Sequence, residues 1–328
     1  MGQAVKDTPE QEQYRAKSVL YYRTHSAFLN AVGLSNGVKW ENLPSRDFSE
    51  IGINQKAIDT LKANGILLGK VFCHPSAIFK EPRLVLYYRS LAGISQKGVK
   101  IFAFATEKYE GGGEITMPKA VELSKALNTF ITALVESDSS FSLEGARTTA
   151  AMTFGAQIDG TWRNVVGVGG AERVKQILMG FLRDRKVVES FSLRVKGKEK
   201  RVGPNENPRI QDVVRINLTN GYILKFGSDP DIELDDDKGE LVACVEVKGG
   251  LDPAGALERY GAAKKSFSTA RKRNKAAYTI YIALLTTTVS EEIKNDQLVS
   301  KEYQVSEVFS NLPAREDFLK KILWLARL

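Results

Sequence analysis

Between Leu241 and Gly250 the chain reads LVACVEVKGG, an apolar stretch that carries two charges two residues apart. In an extended strand successive side chains alternate sides, so Val245 and Val247 share one face while Cys244, Glu246 and Lys248 share the other. A carboxylate and an ammonium in so apolar a strand are costly to bury unless each has a partner or a task. The pattern predicts a strand inside a covered sheet, with its charges gathered at one end. Cys244, on the valine-poor side, reads as an inert small hydrophobe.

The segment just before this strand is acidic. Asp229, Asp231, Glu233, Asp235, Asp236, Asp237 and Glu240 face only Lys238, in a chain whose 47 Lys and Arg against 39 Asp and Glu give a net charge of +8. The run Asp235 to Gly239 has the composition of a solvated hairpin turn, which accounts for Asp235, Asp236 and Asp237. Asp231 differs, because it follows Pro230 and begins the strand that the turn ends. If the two strands pair through that hairpin, Asp231 and Glu246 lie at one sheet edge beside Lys248. Two carboxylates so close repel each other, and a divalent cation relieves them. Hard oxygen donors without histidine or thiolate favour Mg²⁺, with Mn²⁺ as a substitute.

The rest of the chain gives this strand a setting. Its first part reads as helices. One is capped by Asn54 and ends at Gly65, one follows Pro82, one starts at Pro118, and one is capped by Ser142. VKIFAFAT, from Val99 to Thr106, reads as a strand or buried extended piece. From Ala171 the texture changes to a short amphipathic helix, AERVKQILMGFL, preceded by a loop at Gly167, Gly169 and Gly170. Strand-like runs VVESFSLRV, DVVRINL, GYILKFG and LVACVEV follow, then a helix opening at Asp252-Pro253, a strand AYTIYIALL and two further helices. This order predicts an α/β fold with a mixed sheet flanked by helices, α-β-β-β-α-β. It also predicts a mainly helical region over residues 1–150 and an α/β domain over residues 151–328.

Pro230-Asp231 followed by Glu246-Val247-Lys248, with a hairpin among the fourteen residues between Asp231 and Glu246, resembles the PD-(D/E)xK nuclease superfamily. The segments VFCHPSAIFKEPRLVLYYRSLAGISQKGV, GAQIDGTWRNVVGVGGAERVKQIL and EVKGGLDPAGALERY are similar to those of type II restriction endonucleases in the group typified by XcyI, over roughly residues 70 to 270. The resemblance implies a restriction-endonuclease-like core in which Asp231 and Glu246 are metal ligands and the Val247 carbonyl is a third. Lys248 would lie near the scissile phosphate, and Glu172 would be a further acid on the helix that opens the core. It implies Mg²⁺-dependent, sequence-specific cleavage of double-stranded DNA by a homodimer, leaving 5′-phosphate and 3′-hydroxyl ends. The helical region would serve recognition or dimerisation.

Such a substrate calls for cations that neutralise phosphates. Lys264, Lys265, Arg271, Lys272, Arg273 and Lys275 follow one another with no acid among them. Lys196, Lys198, Lys200 and Arg201 form a second set, read as a flexible charged hairpin, with Arg183, Arg185, Lys186 and Arg194 before it. Asn205, Asn207, Arg209, Gln157, Arg163 and Asn164 have side chains suited to reading base edges.

Other signals exclude more than they assign. Cys73 and Cys244 alone make no disulfide framework or zinc finger, and Cys73-His74 before Pro75 reads as a packed turn. The glycines near Gly167 lack the Gly-Lys-Ser/Thr ending of a nucleotide loop. The polar N-terminus has no signal-peptide core, and no apolar run approaches the roughly 18 residues of a membrane span. A cytoplasmic protein is expected. Two rivals share these observations: a repair or recombination nuclease of the same fold that reads DNA structure, and a non-catalytic DNA-binding protein.

Overall fold

The computed structural model describes residues 9–310 and 313–328. The chain divides into two compact units, Arg15–Trp162 and Arg163–Leu328, the latter taking in the described residues before Arg15.

The first unit is helical: α1 (Pro9–Asn36) from Arg15 onward, α2 (Gln55–Ala63), α3 (Pro75–Lys80), α4 (Leu84–Leu91), α5 (Gln96–Val99), α6 (Glu107–Glu110), α7 (Met117–Glu136) and the first part of α8 (Leu143–Asp184). The predicted caps hold. The Asn54 side chain accepts from the Ala57 N–H, and the Ser142 hydroxyl accepts from the Gly145 N–H at 3.0 Å. On α7, Leu123, Leu127, Ile131 and Val135 recur every four residues and all are buried, which makes this helix the axis of the core. Asn128 lies among them with its amide fully used, accepting from the Cys73 N–H and donating to the Ile51 and Cys73 carbonyls. Cys73-His74 is the packed turn expected, with the His74 ring capping α3.

VKIFAFAT is not a strand. The Ile101 and Ala103 amides close turns onto Gly98 and Val99, and Ile101 is exposed. Among the described residues this unit has no strand to pair with, so an isolated extended run would leave its amides unbonded.

The second unit is built on one eight-stranded sheet: β1 (Val188–Val195), β2 (Lys198–Val202), β3 (Val213–Leu218), β4 (Ile223–Phe226), β5 (Ile232–Asp235), β6 (Leu241–Val247), β7 (Tyr278–Ala283) and β8 (Lys301–Gln304). Their spatial order is β2-β1-β3-β4-β5-β6-β7-β8. Pairing is antiparallel as far as β6 and parallel from β6 through β7 to β8. Helix α9 (Ala256–Arg273) joins β6 to β7, as a parallel crossover requires. Helices α10 (Thr287–Asp296), α11 (Val305–Phe309) and α12 (Pro313–Leu325) complete the unit. The expected mixed α/β core is present, enlarged by β2 and β8.

Period-two alternation sorts the sheet into two cores. Val245, Val247, Ile280 and Ile282 pack in a cluster with Val174, Leu178 and Leu182 of α8 and with Phe318 and Ile322 of α12. Cys244 and Tyr281 point the other way, into a cluster with Tyr260, Ala263 and Phe267 of α9.

Two expectations are corrected here, and a third takes a more definite form. The helix at Glu172 is not short: α8 is continuous through Gly167, Gly169 and Gly170, with no loop before Ala171. Glycine inside a helix costs about 1 kcal/mol relative to alanine, which the surrounding turns tolerate. Lys198 to Arg201 lie in the charged hairpin read from the sequence: they belong to β2, joined to β1 by a turn in which Lys196 (φ 51°) and Gly197 (φ 78°) are both left-handed. Asp235 is not a solvated turn residue. It ends β5, is buried, and pairs with Lys225 of β4.

Candidate active site

The predicted hairpin forms. Ile232 pairs with Val245 and Glu233 with Cys244, so the residue before β5, Asp231, comes level with the end of β6. Its carbonyl accepts from the Gly227 N–H at 3.1 Å, and its Oδ2 accepts from the Val247 N–H at 2.8 Å. That second bond ties the carboxylate to the strand carrying its neighbours. Beyond β6, the Lys248 N–H donates to the Ile282 carbonyl at 2.8 Å and extends the parallel pairing by one step.

Glu246 is 1% exposed and Lys248 is partly open to solvent. Lys248 Nζ donates to Glu246 Oε2 at 2.6 Å and stands 3.9 Å from Asp231 Oδ2. Glu246 Oε1 is buried and has no hydrogen-bond partner. Two carboxylates therefore share one ammonium. Burial and then the Glu246 charge push the Asp231 carboxyl up to about 6, against the opposing effects of the Val247 N–H and Lys248. Burial, reinforced by the same acids, pushes the Cys244 thiol up to about 12, which keeps it a neutral hydrophobe.

Two contacts that period and composition do not reveal hold the segment after Lys248. A Cβ built on Gly170 would lie 2.7 Å from the Gly249 Cα, so α8 meets the chain backbone to backbone. The Gln13 amide brackets the same turn, donating to the Gly249 carbonyl at 3.0 Å and accepting from the Leu251 N–H at 2.9 Å. In sequence the glycine pair carries only a loop signal, and Gln13 carries no signal at all.

Glu172 lies two residues beyond Gly170 on α8 and is half-buried. Its charge acts on Lys175, whose amine burial pushes down to about 8. Among the described residues, no group of three His, Cys, Asp or Glu side chains stands ready to hold a metal ion, so Glu172 does not complete such a group with Asp231 and Glu246.

The basic run on α9 meets acids from other elements. Lys264 pairs with Glu292 and Asp296, each at 3.0 Å. Arg273 pairs with Glu233, and Arg271 bonds the Lys275 carbonyl and Ser300. Lys265 and Lys272 are exposed, as are Lys196, Lys198 and Lys200, while Arg201 bonds Ser190 and pairs with Glu189. Among the candidate base readers, Gln157 is committed to the buried Arg89, and Arg209 to Asp212. Trp162 is half-buried. Among the described residues, no helix is long and apolar enough to cross a membrane.

Residues 46–328 match the sequence model of the family described as XcyI restriction endonuclease, a wider span than the residues carrying the resemblance in sequence. The type II restriction enzyme Cfr9I of Citrobacter freundii is 23% identical over 290 residues, covering 83% of this chain and 82% of that enzyme. The type II restriction enzyme XcyI of Xanthomonas campestris pv. cyanopsidis is 26% identical over 230 residues, covering 65% of this chain and 63% of that enzyme.

Proposed function

This chain belongs to the XcyI restriction endonuclease family, a family of type II site-specific deoxyribonucleases, and from that premise we propose that it hydrolyses double-stranded DNA at Asp231, Glu246 and Lys248. The observation that carries the assignment of residues is the buried, unpartnered Oε1 of Glu246 beside a second carboxylate. A buried acceptor without a donor is costly in a structural role. A divalent cation would supply that oxygen with a partner.

The donor set fits a divalent cation. Asp231, Glu246 and the Val247 carbonyl are oxygen donors with no nitrogen or sulfur among them, which suits Mg²⁺, with Mn²⁺ substituting. When bound, the ion supplies positive charge for the attacking and leaving oxygens of an in-line displacement. The chain's own residues do the rest. Asp231 and Glu246 fix where that charge sits, because the Val247 N–H pins the first and Lys248 the second. The Lys248 ammonium is the donor in reach of an incoming phosphate; it orients the attacking water and offsets the charge that builds on phosphorus. Water adds to phosphorus as the bond to the 3′ oxygen breaks, leaving a 5′-phosphate and a 3′-hydroxyl. Glu172 is retained as a supporting acid acting from α8.

The proposal extends to the whole molecule. Lys264, Lys265, Arg271, Lys272 and Arg273, with Lys196, Lys198, Lys200 and Arg201, bind phosphates, and residues 1–150 serve recognition or dimerisation beside a catalytic domain of residues 151–328. The active form is a cytoplasmic homodimer, since two cuts related by a two-fold axis ask for two copies. Incubating a plasmid of known sequence with the protein and Mg²⁺ tests the reading. Discrete fragments with 5′-phosphate ends are expected. A smear or cutting confined to junctions would mean a structure-reading nuclease, and intact plasmid with both Mg²⁺ and Mn²⁺ would mean a DNA-binding protein.

A further inference from the structure

Glu246 is not the only group of this site with an unused polar atom. Tyr281 of β7 is fully buried, and its hydroxyl also has no hydrogen-bond partner. The two residues are register partners in the parallel β6–β7 pair, so their side chains leave the sheet side by side on the same face. Helix α9 covers that face, with the Tyr260 ring centroid 5.3 Å and the Phe267 centroid 6.1 Å from the Tyr281 ring. These rings fix the phenol without offering its hydroxyl an acceptor. The charges acting on that hydroxyl are Arg259 and Glu246. A buried donor and a buried acceptor, both unsatisfied, thus stand on paired positions.

We infer that Tyr281 is a positioning residue of the site, whose hydroxyl donates to Glu246 Oε1 through one bridging water. The inference rests on the reading of Asp231 and Glu246 as cation ligands. A carboxylate oxygen has two lone-pair sites, so Oε1 can accept from that water on one and face a cation with the other. With Lys248 on Oε2, such a bond fixes the carboxylate at both ends, and its rotation about the last side-chain torsion is lost. Outer partners of this kind typically change metal affinity by about 10- to 100-fold. Nothing structural explains the hydroxyl as well: phenylalanine would fill the same space against Tyr260 and Phe267.

Titration of the full-length protein with Mn²⁺ in the absence of DNA, followed by the electron paramagnetic resonance of the free ion, tests this. Wild type binds and Asp231→Ala does not, which establishes the site. Tyr281→Phe is expected to bind about tenfold more weakly, with an unchanged melting temperature. In plasmid cleavage, Tyr281→Phe should need correspondingly more Mn²⁺ for half-maximal rate, with its KM for DNA unchanged. Glu302→Ala, which alters the register partner of Tyr281 on β8, should bind as wild type does. Wild-type affinity in Tyr281→Phe overturns the inference and leaves the metal reading standing. Equal binding by wild type and Asp231→Ala, or none by either, overturns both.

Discussion

Gly170 and Gly249 are in backbone contact: a Cβ on Gly249 would lie 2.8 Å from the Gly170 Cα and 2.6 Å from the Val166 carbonyl oxygen. This is where α8 meets the chain one residue past Lys248. Gly167, three residues earlier on the same helix, has no neighbouring atom within 4 Å of the corresponding position.

Alanine at the two helix positions should therefore have opposite effects. Gly167→Ala adds helix propensity in open space and is expected to stabilise by about 0.5–1 kcal/mol. Gly170→Ala overpacks a rigid contact and is expected to destabilise by about 1–3 kcal/mol. Because the strain falls beside Lys248, it should also slow plasmid cleavage. Thermal melts and initial rates on both variants check this, and equal melting temperatures would remove Gly170 from the site's support.

What can be read from the chain, and what cannot, follows from the range of each interaction. The Asp231 hairpin and the shared face of Glu246 and Lys248 are legible because period-two alternation and turn chemistry act over a few residues. The burial of Asp235 is not, because its partner Lys225 comes from the neighbouring strand and only the sheet register brings it near. The α9 cations look unopposed in sequence because Glu292, Asp296 and Glu233 come from other elements. The glycines of α8 read as a loop because glycine breaks helices on average; here a close approach uses one of them. Tyr281 cannot be singled out from sequence, since its relation to Glu246 exists only across the parallel pair.

Removing the Lys248 amine should separate chemistry from binding. Lys248→Ala is expected to lower the single-turnover cleavage rate by about 10²- to 10³-fold, the usual cost of losing one preorganised charge. DNA affinity measured in Ca²⁺ should stay within a few-fold of wild type. Cleavage at the wild-type rate would exclude Lys248 from the reaction.

The cations should divide by partner. Lys196, Lys198 and Lys200 are exposed on the β1–β2 hairpin, whereas Lys264 is held by two acids. Replacing the three hairpin lysines with alanine is expected to weaken binding on all sequences alike and to flatten the salt dependence by about 0.9 for each phosphate no longer neutralised. Lys264→Ala, which removes an ammonium shared with Glu292 and Asp296, should change that slope less. Affinities measured across a range of salt concentrations decide, and an unchanged slope in the triple variant would move the phosphate track elsewhere.

Asp231 makes stability depend on pH in a stated direction. Its carboxyl sits near 6 in the folded chain against 3.8 for the ordinary group, because burial and Glu246 disfavour its charge. Between those values the folded state holds the extra proton, so the stability contributed by this group falls as pH rises through the window and is level above it. With metal chelated, Asp231→Asn should melt higher than wild type at pH 7.5, and the difference should vanish towards pH 4.5, where the wild-type carboxyl is neutral too. A variant less stable than wild type at pH 7.5 would contradict this account.

The Lys225–Asp235 pair should show that the two halves of one ion pair are not equivalent. Asp235 is 1% exposed and its Oδ1 already lacks a partner, while the Lys225 side chain is 37% exposed. Lys225→Met removes the ammonium paired with a buried carboxylate and leaves an uncompensated charge, which is expected to cost about 3 kcal/mol or more. Asp235→Asn leaves a lysine that can turn to water, and asparagine keeps an acceptor and gains a donor in the same space. Its cost should be no more than about 1 kcal/mol. Because the pair lies at the far end of β5 from Asp231, neither variant should alter Mn²⁺ affinity while folded. Denaturant melts rank the two, and an Asp235→Asn variant as destabilised as Lys225→Met would show that the carboxylate, not the desolvated charge, holds β4 to β5.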